Sequence, residues 1–211
     1  MRREFSLAAV VLMVGMATGV AGAASVKSGP QVGQRTLPFT SNAVTGANRG
    51  QQHCYICELK EEPAVLIFAR RMDAPTARLL RDLRDAVREN ASRKLFGWMV
   101  FLADADSGED VGDRATGEGA MERSAFEFAR KNAATTLPLT VLDDPQGPPG
   151  YRIAPDAVVT VLFFRNGKVL ANRAYRDREW NESAAAGALR DLRPLLSAPT
   201  TPESAPATAK P

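Results

Sequence analysis

Four apolar runs constrain this chain more than any other feature: "PAVLIFA" (63–69), "LFGWMVFLA" (95–103), "LPLTVLD" (137–143) and "AVVTVLFF" (157–164). They are rich in β-branched and aromatic residues, are short, and lack the alternation that leaves one face wet. That is the pattern of strands buried on both faces. Between the first two runs lies a helical spacing, Leu79, Leu80, Leu83 and Val87, with Asp73 as its cap and Pro75 in its first turn. Between the second and third, "DADSGEDVGDRATGEG" (104–119) reads as a polar loop. "AMERSAFEFARKNAA" (120–134) reads as a helix with Met121, Ala125, Phe128 and Ala129 on one side. After the fourth run, Asn166-Gly167 predicts a tight hairpin and "KVLANRAY" (168–175) an antiparallel return. A closing helix is predicted from the Asn181 cap through Leu196, with Leu189, Leu192 and Leu196 inward and Pro194 distorting its last turn. The order predicts an α/β fold in which crossover helices join parallel strands and a hairpin adds an antiparallel edge.

The ends read differently. Arg2 and Arg3, the apolar "SLAAVVLMVGMATGV" and the small residues Ala21-Gly22-Ala23 form a signal peptide over residues 1–23. The apolar run falls short of the ~20 residues that a spanning helix needs. The expectation is therefore an exported chain, periplasmic or secreted, with no stable membrane span after cleavage. Cleavage removes two arginines and one glutamate, which takes the net charge from +3 to +2. Basic and acidic residues are interleaved, so there is no clustered footprint for nucleic acid. The tail, residues 197–211, is Pro, Ala, Ser and Thr with no large apolar side chain past Ser197, and it predicts disorder. Residues 24–52, rich in Gly, Thr, Asn and Ser, form an N-terminal extension. There "VGQRTLPFT" followed by "AVTGANRG" predicts a short strand pair. The main domain spans 53–196.

The order of elements, with "GYRIAPDAVVTVLFFRNGKVLAN" (150–172), resembles the thioredoxin-like fold. Its members carry a Tyr-x-Ile turn, a short apolar strand, an Asn-Gly hairpin and a returning strand in this relation. "VGQRTLPFT" also resembles the lead-in of the redoxin and peroxiredoxin-like branch. The resemblance covers roughly residues 30–196 and implies a central mixed sheet flanked by helices, with a strand-pair extension. It also locates the usual active site, a Cys-Gly-Pro-Cys segment that opens the helix after the first core strand. Here Asp73-Ala74-Pro75-Thr76 stands there. Pro75 matches, but Asp73 holds the nucleophile's position and Thr76 the resolving one, and neither performs thiol exchange. Val159 takes the place of the family's cis-proline, Pro155 lying too early. With no cysteine at that helix start, a peroxidase is excluded.

The two cysteines, Cys54 and Cys57, stand instead before the first strand, in "HCYICE". Three readings are open. As a redox pair, Cys54 is the nucleophile candidate, because it leads the motif and adjoins His53, whose imidazolium would lower a neighbouring thiol's pKa. As a structural disulfide, the pair pins the lead-in to the domain, although so short a loop restrains little chain entropy. As a copper or zinc site, His53, Cys54 and Cys57 supply three ligands and lack a fourth unless Glu58 or another chain provides it. The loop "DADSGED" (104–110) has Glu109 where calcium binding needs Gly and Ala115 where it needs Glu. Phe96, Trp98, Phe101, Phe163 and Phe164 read as core. The expectation is a cofactor-free thiol–disulfide oxidoreductase acting through Cys54 and Cys57 on a protein thiol or disulfide partner. The alternative is a non-catalytic module that binds a protein or small ligand in a cleft around Asp73, Thr76 and Val159.

Overall fold

The computed structural model describes residues 26–59, 61–103 and 114–197, apart from the side chains of 114–118. The segment expected to be a signal peptide, the expected polar loop over 104–113 and the expected disordered tail after Ser197 lie outside the described residues. The chain runs β1 (Ser41–Ala43), β2 (Gln52–His53), α1 (Tyr55–Glu58), β3 (Ala64–Ala69), α2 (Ala74–Glu89), β4 (Phe96–Leu102) and α3 (Arg114–Lys131). It continues with β5 (Leu139–Leu142), β6 (Ala157–Arg165), β7 (Lys168–Arg176), α4 (Glu182–Gly187) and α5 (Leu192–Ser197).

One mixed sheet has the strand order β2-β1-β5-β4-β3-β6-β7. β3, β4 and β5 are parallel neighbours added in one direction, so two right-handed crossovers put α2 and α3 on the same face. That face buries Val65, Ile67, Met99, Phe101 and Val161 against Leu79, Leu80 and Leu83 of α2 and Ala125 and Ala129 of α3. α2 lies close enough to β4 that a Cβ on Gly97 would come within 2.9 Å of the Leu83 and Val87 side chains, which would have to shift to admit it. The other face presents Leu66, Phe68, Trp98, Val100 and Leu162 and carries no long helix among the described residues. Phe39, Tyr55, Tyr151 and Ile153 cover it. The hairpin between β6 and β7 turns at Asn166 and Gly167, both at positive φ (49° and 64°), as a two-residue turn of this hand requires.

Three expectations need revision. The N-terminal strand pair is present, but it is β1 with β2, and β1 also joins β5. "VGQRTLPFT" instead runs along β7: Gly33 N–H donates to Val169 O at 2.8 Å, and Thr36 N–H to Gly167 O at 2.8 Å. α3 begins at Arg114, so "RATGEG" is helical rather than loop, despite the low helix propensity of its two glycines. The closing helix is two short ones. Pro194 sits in the first turn of α5, where a missing N–H costs nothing, rather than in a last turn. Ala185, Ala188 and Leu195 are the fully buried residues there, with Leu189, Leu192 and Leu196 packed at the margin.

Candidate functional site

The start of α2 follows the carboxyl end of β3. Asp73 is its cap, with Oδ1 accepting the Thr76 N–H at 3.0 Å, and Pro75 lies in the first turn. Arg71 reaches both Asp73 (3.4 Å) and Asp177 (2.6 Å), which ties this helix start to the segment after β7. Thr76 is fully buried, and its hydroxyl accepts the indole N–H of Trp180 at 3.1 Å. The residue at the resolving position thus serves as a core hydrogen bond that holds the approach to α4. Sequence reasoning passed over Trp180; its place just before the Asn181 cap, where an apolar residue often fixes helix entry, was the available signal.

Val159 is equally interior. It lies within β6, paired with Ala69 on one side and Tyr175 on the other, and is 1% exposed. β6 begins two residues before it, and Arg70 N–H donates to Val158 O at 3.0 Å. Valine keeps the N–H that proline lacks, so the strand continues through this point. No cis peptide bond occurs among the described residues. With Thr76 and Val159 buried, the cleft expected around them is not an opening. A groove of about 580 Å³ does lie beside Asp73, between Met72 and Ala77 on one side and Arg123, Glu127 and Phe128 of α3 on the other.

The cysteine pair is built quite differently. Cys54 and Cys57 are joined by a disulfide (S–S 2.02 Å) that closes the single turn of α1. Cys54 is the N-cap. The Cys57 N–H lies 3.3 Å from Cys54 Sγ and 3.2 Å from Cys54 O, and is shared between them. Tyr55, between the cysteines, anchors the turn. It is 4% exposed, its ring 5.5 Å from Phe96 and 5.9 Å from Trp98. Burial, helped by the Glu58 charge, raises its phenol above the ordinary tyrosine range. Cys54 is half-buried and Cys57 exposed. His53 does not offer its imidazole to the sulfurs as its main contact: Nε2 meets Glu58 Oε1 at 3.0 Å, and the ring stands edge-on to Tyr55 at 4.5 Å.

Phe96 opens β4, so α1 lies over the amino-terminal half of the central strands, on the face without α2. It does not fold over the carboxyl edge, which would have brought it to Asp73. The pair and the helix start are therefore separate places at opposite ends of the sheet. Among the described residues no group of three His, Cys, Asp or Glu side chains is placed to hold a metal. Sulfurs joined to each other are not thiolate ligands, so the copper or zinc reading gains nothing from this geometry.

No protein-family model matches the sequence, and no curated protein matches it. Solved structures do. An uncharacterised conserved protein from Geobacillus kaustophilus aligns over 87% of this chain and 92% of its own, with TM-score 0.58 and 15% identity. A protein provisionally assigned as the thiol:disulfide interchange protein DsbE of Chlorobium tepidum aligns over 79% and 99%, with TM-score 0.52 and 15% identity. A provisionally assigned protein disulfide isomerase from Bacteroides thetaiotaomicron aligns over 82% and 96%, with TM-score 0.55 and 13% identity. At such identities the likeness concerns the fold. The strand order, the two crossovers and these neighbours agree that the fold of this chain is thioredoxin-like.

Proposed function

We propose that this chain is an exported thiol–disulfide exchange protein whose chemistry resides in Cys54 and Cys57. The observation that carries the reading is the exposure of Cys57 within a disulfide that forms a surface turn rather than a core strut. A bond across two intervening residues restrains little of the unfolded chain, which is a poor return for a purely structural crosslink. Tyr55 already anchors the turn without it. A thiolate of a partner protein attacks one sulfur of the pair, forming a mixed disulfide, and the other sulfur leaves as a thiolate with the bonding electrons. That thiolate then re-forms the internal bond and releases the partner, or a second partner thiolate completes the reduction. Two protein thiols are oxidised for each internal disulfide reduced. The vacated helix start at Asp73 takes no part. Two of the fold neighbours bear names of thiol–disulfide chemistry, and this supports the same class of partner here.

The export reading rests on the signal-like residues 1–23. Intact mass of protein recovered outside the cytoplasm is expected to begin at Ala24; a mass that includes Met1 to Ala23 refutes cleavage. The redox role is tested by titrating the mature protein in thiol–disulfide buffers, with the free thiols labelled at each potential. The midpoint is expected above about −300 mV, the level below which structural disulfides typically lie. A bond that stays closed below that potential makes the pair a staple and ends the enzymatic reading.

A further inference from the structure

We infer that the pair works with reversed polarity: Cys57, the second cysteine, forms the mixed disulfide with a partner, and Cys54 is the leaving and resolving sulfur. The inference rests on the exchange role proposed above and reverses the order that the sequence suggested. Two independent features carry it. Access is the first: Cys57 is exposed, while Cys54 is half-buried where the chain turns from β2 into α1 beside the buried Tyr55. The leaving group is the second. The Cys57 N–H points at Cys54 Sγ from 3.3 Å, a donor that stabilises negative charge on that sulfur, and an exchange runs faster when the departing thiolate is the better stabilised one. Glu58, next to Cys57, would oppose an incoming thiolate, but its carboxylate is engaged by His53 at 3.0 Å.

The step balances as follows. A partner thiolate attacks Cys57 Sγ, and the partner–Cys57 bond forms as the Cys54–Cys57 bond breaks. The electron pair passes to Cys54 Sγ, which accepts the Cys57 N–H as a thiolate. In the return direction Cys54 attacks Cys57 Sγ and expels the partner thiolate.

The test uses the oxidised wild-type protein and reduced glutathione as the thiol probe. The mixture is quenched with acid after short exposure, free thiols are alkylated, and peptide mass spectrometry locates both labels. Glutathione on Cys57 with the alkyl group on Cys54 is the expected result. Glutathione on Cys54, or equal amounts on each, overturns the polarity while leaving the exchange role standing. Failure to form any mixed disulfide, even at high glutathione, overturns both. Single-cysteine proteins supply a second measurement. At a pH where both thiols are ionised, C54S, which retains Cys57, should react with a chromogenic aromatic disulfide about tenfold faster than C57S. Equal rates, or a faster C57S, refute the inference.

Discussion

The start of α2 and the turn of α1 are both opened by a side-chain cap, yet they have opposite characters. At the first, every candidate group points inward or sideways: Asp73 to a backbone N–H and Arg71, Thr76 to Trp180. At the second, one tyrosine is sunk into the sheet while Cys54 is half-buried and Cys57 exposed. The difference teaches that position in a fold does not confer chemistry. A helix start of the thioredoxin kind can be spent on holding the core, while a short turn on the far face carries the exposed Cys57.

That contrast can be broken, most forcefully at Trp180. Trp180→Ala removes a buried indole and leaves the Thr76 hydroxyl without its donor. It is expected to cost about 3–5 kcal/mol in urea unfolding, with the exchange rate of the remaining folded protein unchanged. A fall in exchange rate without a fall in stability would join the two places that the structure separates. Reducing Cys54–Cys57 comes next. The four-residue loop predicts a loss of about 2 kcal/mol or less, and the reduced protein should remain folded by circular dichroism. Unfolding on reduction would make the turn structural after all.

Asp73→Ala should cost about 1 kcal/mol, the usual worth of a carboxylate cap, again with no effect on thiol exchange. Loss of exchange would return chemistry to the helix start. The smallest effect belongs to Tyr55. Its phenol is held neutral by burial, so the stability it lends is whole below the unfolded tyrosine value, about pH 10, and is lost as pH rises toward the folded value. Tyr55→Phe should flatten part of the alkaline decline seen in denaturant titrations at successive pH values. Tyr151, also raised by burial, would still contribute its share.

How much of this was legible differs between the two places for the same physical reason. β3 to β6 could be read because strands buried on both faces write continuous apolar runs, and β7 because the Asn166-Gly167 turn, like the Asp73 cap, is local chemistry. Local chemistry also located the cysteines in the chain. It could not say where they lie in space, because that depends on Tyr55 inserting beside Phe96 and Trp98, some forty residues later in the sequence. The burial of Thr76 was hidden likewise, its partner Trp180 being 104 residues away. β1 and β2, of three and two residues, are too short to leave a periodic signal. The early start of α3 was masked by Gly117 and Gly119, whose low helix propensity argues for a loop.

The segment along β7 has a consequence for how the chain comes together. Ser28 bonds Thr160 at a separation of 132 residues, and Ser28 O accepts the Asn172 side-chain amide at a separation of 144. The first described residues therefore have their partners on β6 and β7, and a chain emerging amino end first cannot seat them until those strands have followed. Closing so long a loop is an entropic debt that local helices cannot advance, and topologies of this kind fold slowly. During that interval the outer edge of β7 is bare, a row of unpaired backbone groups open to the wrong neighbour. The lead-in is then a late-closing seam, and folding rate, more than final stability, should register any change made along it.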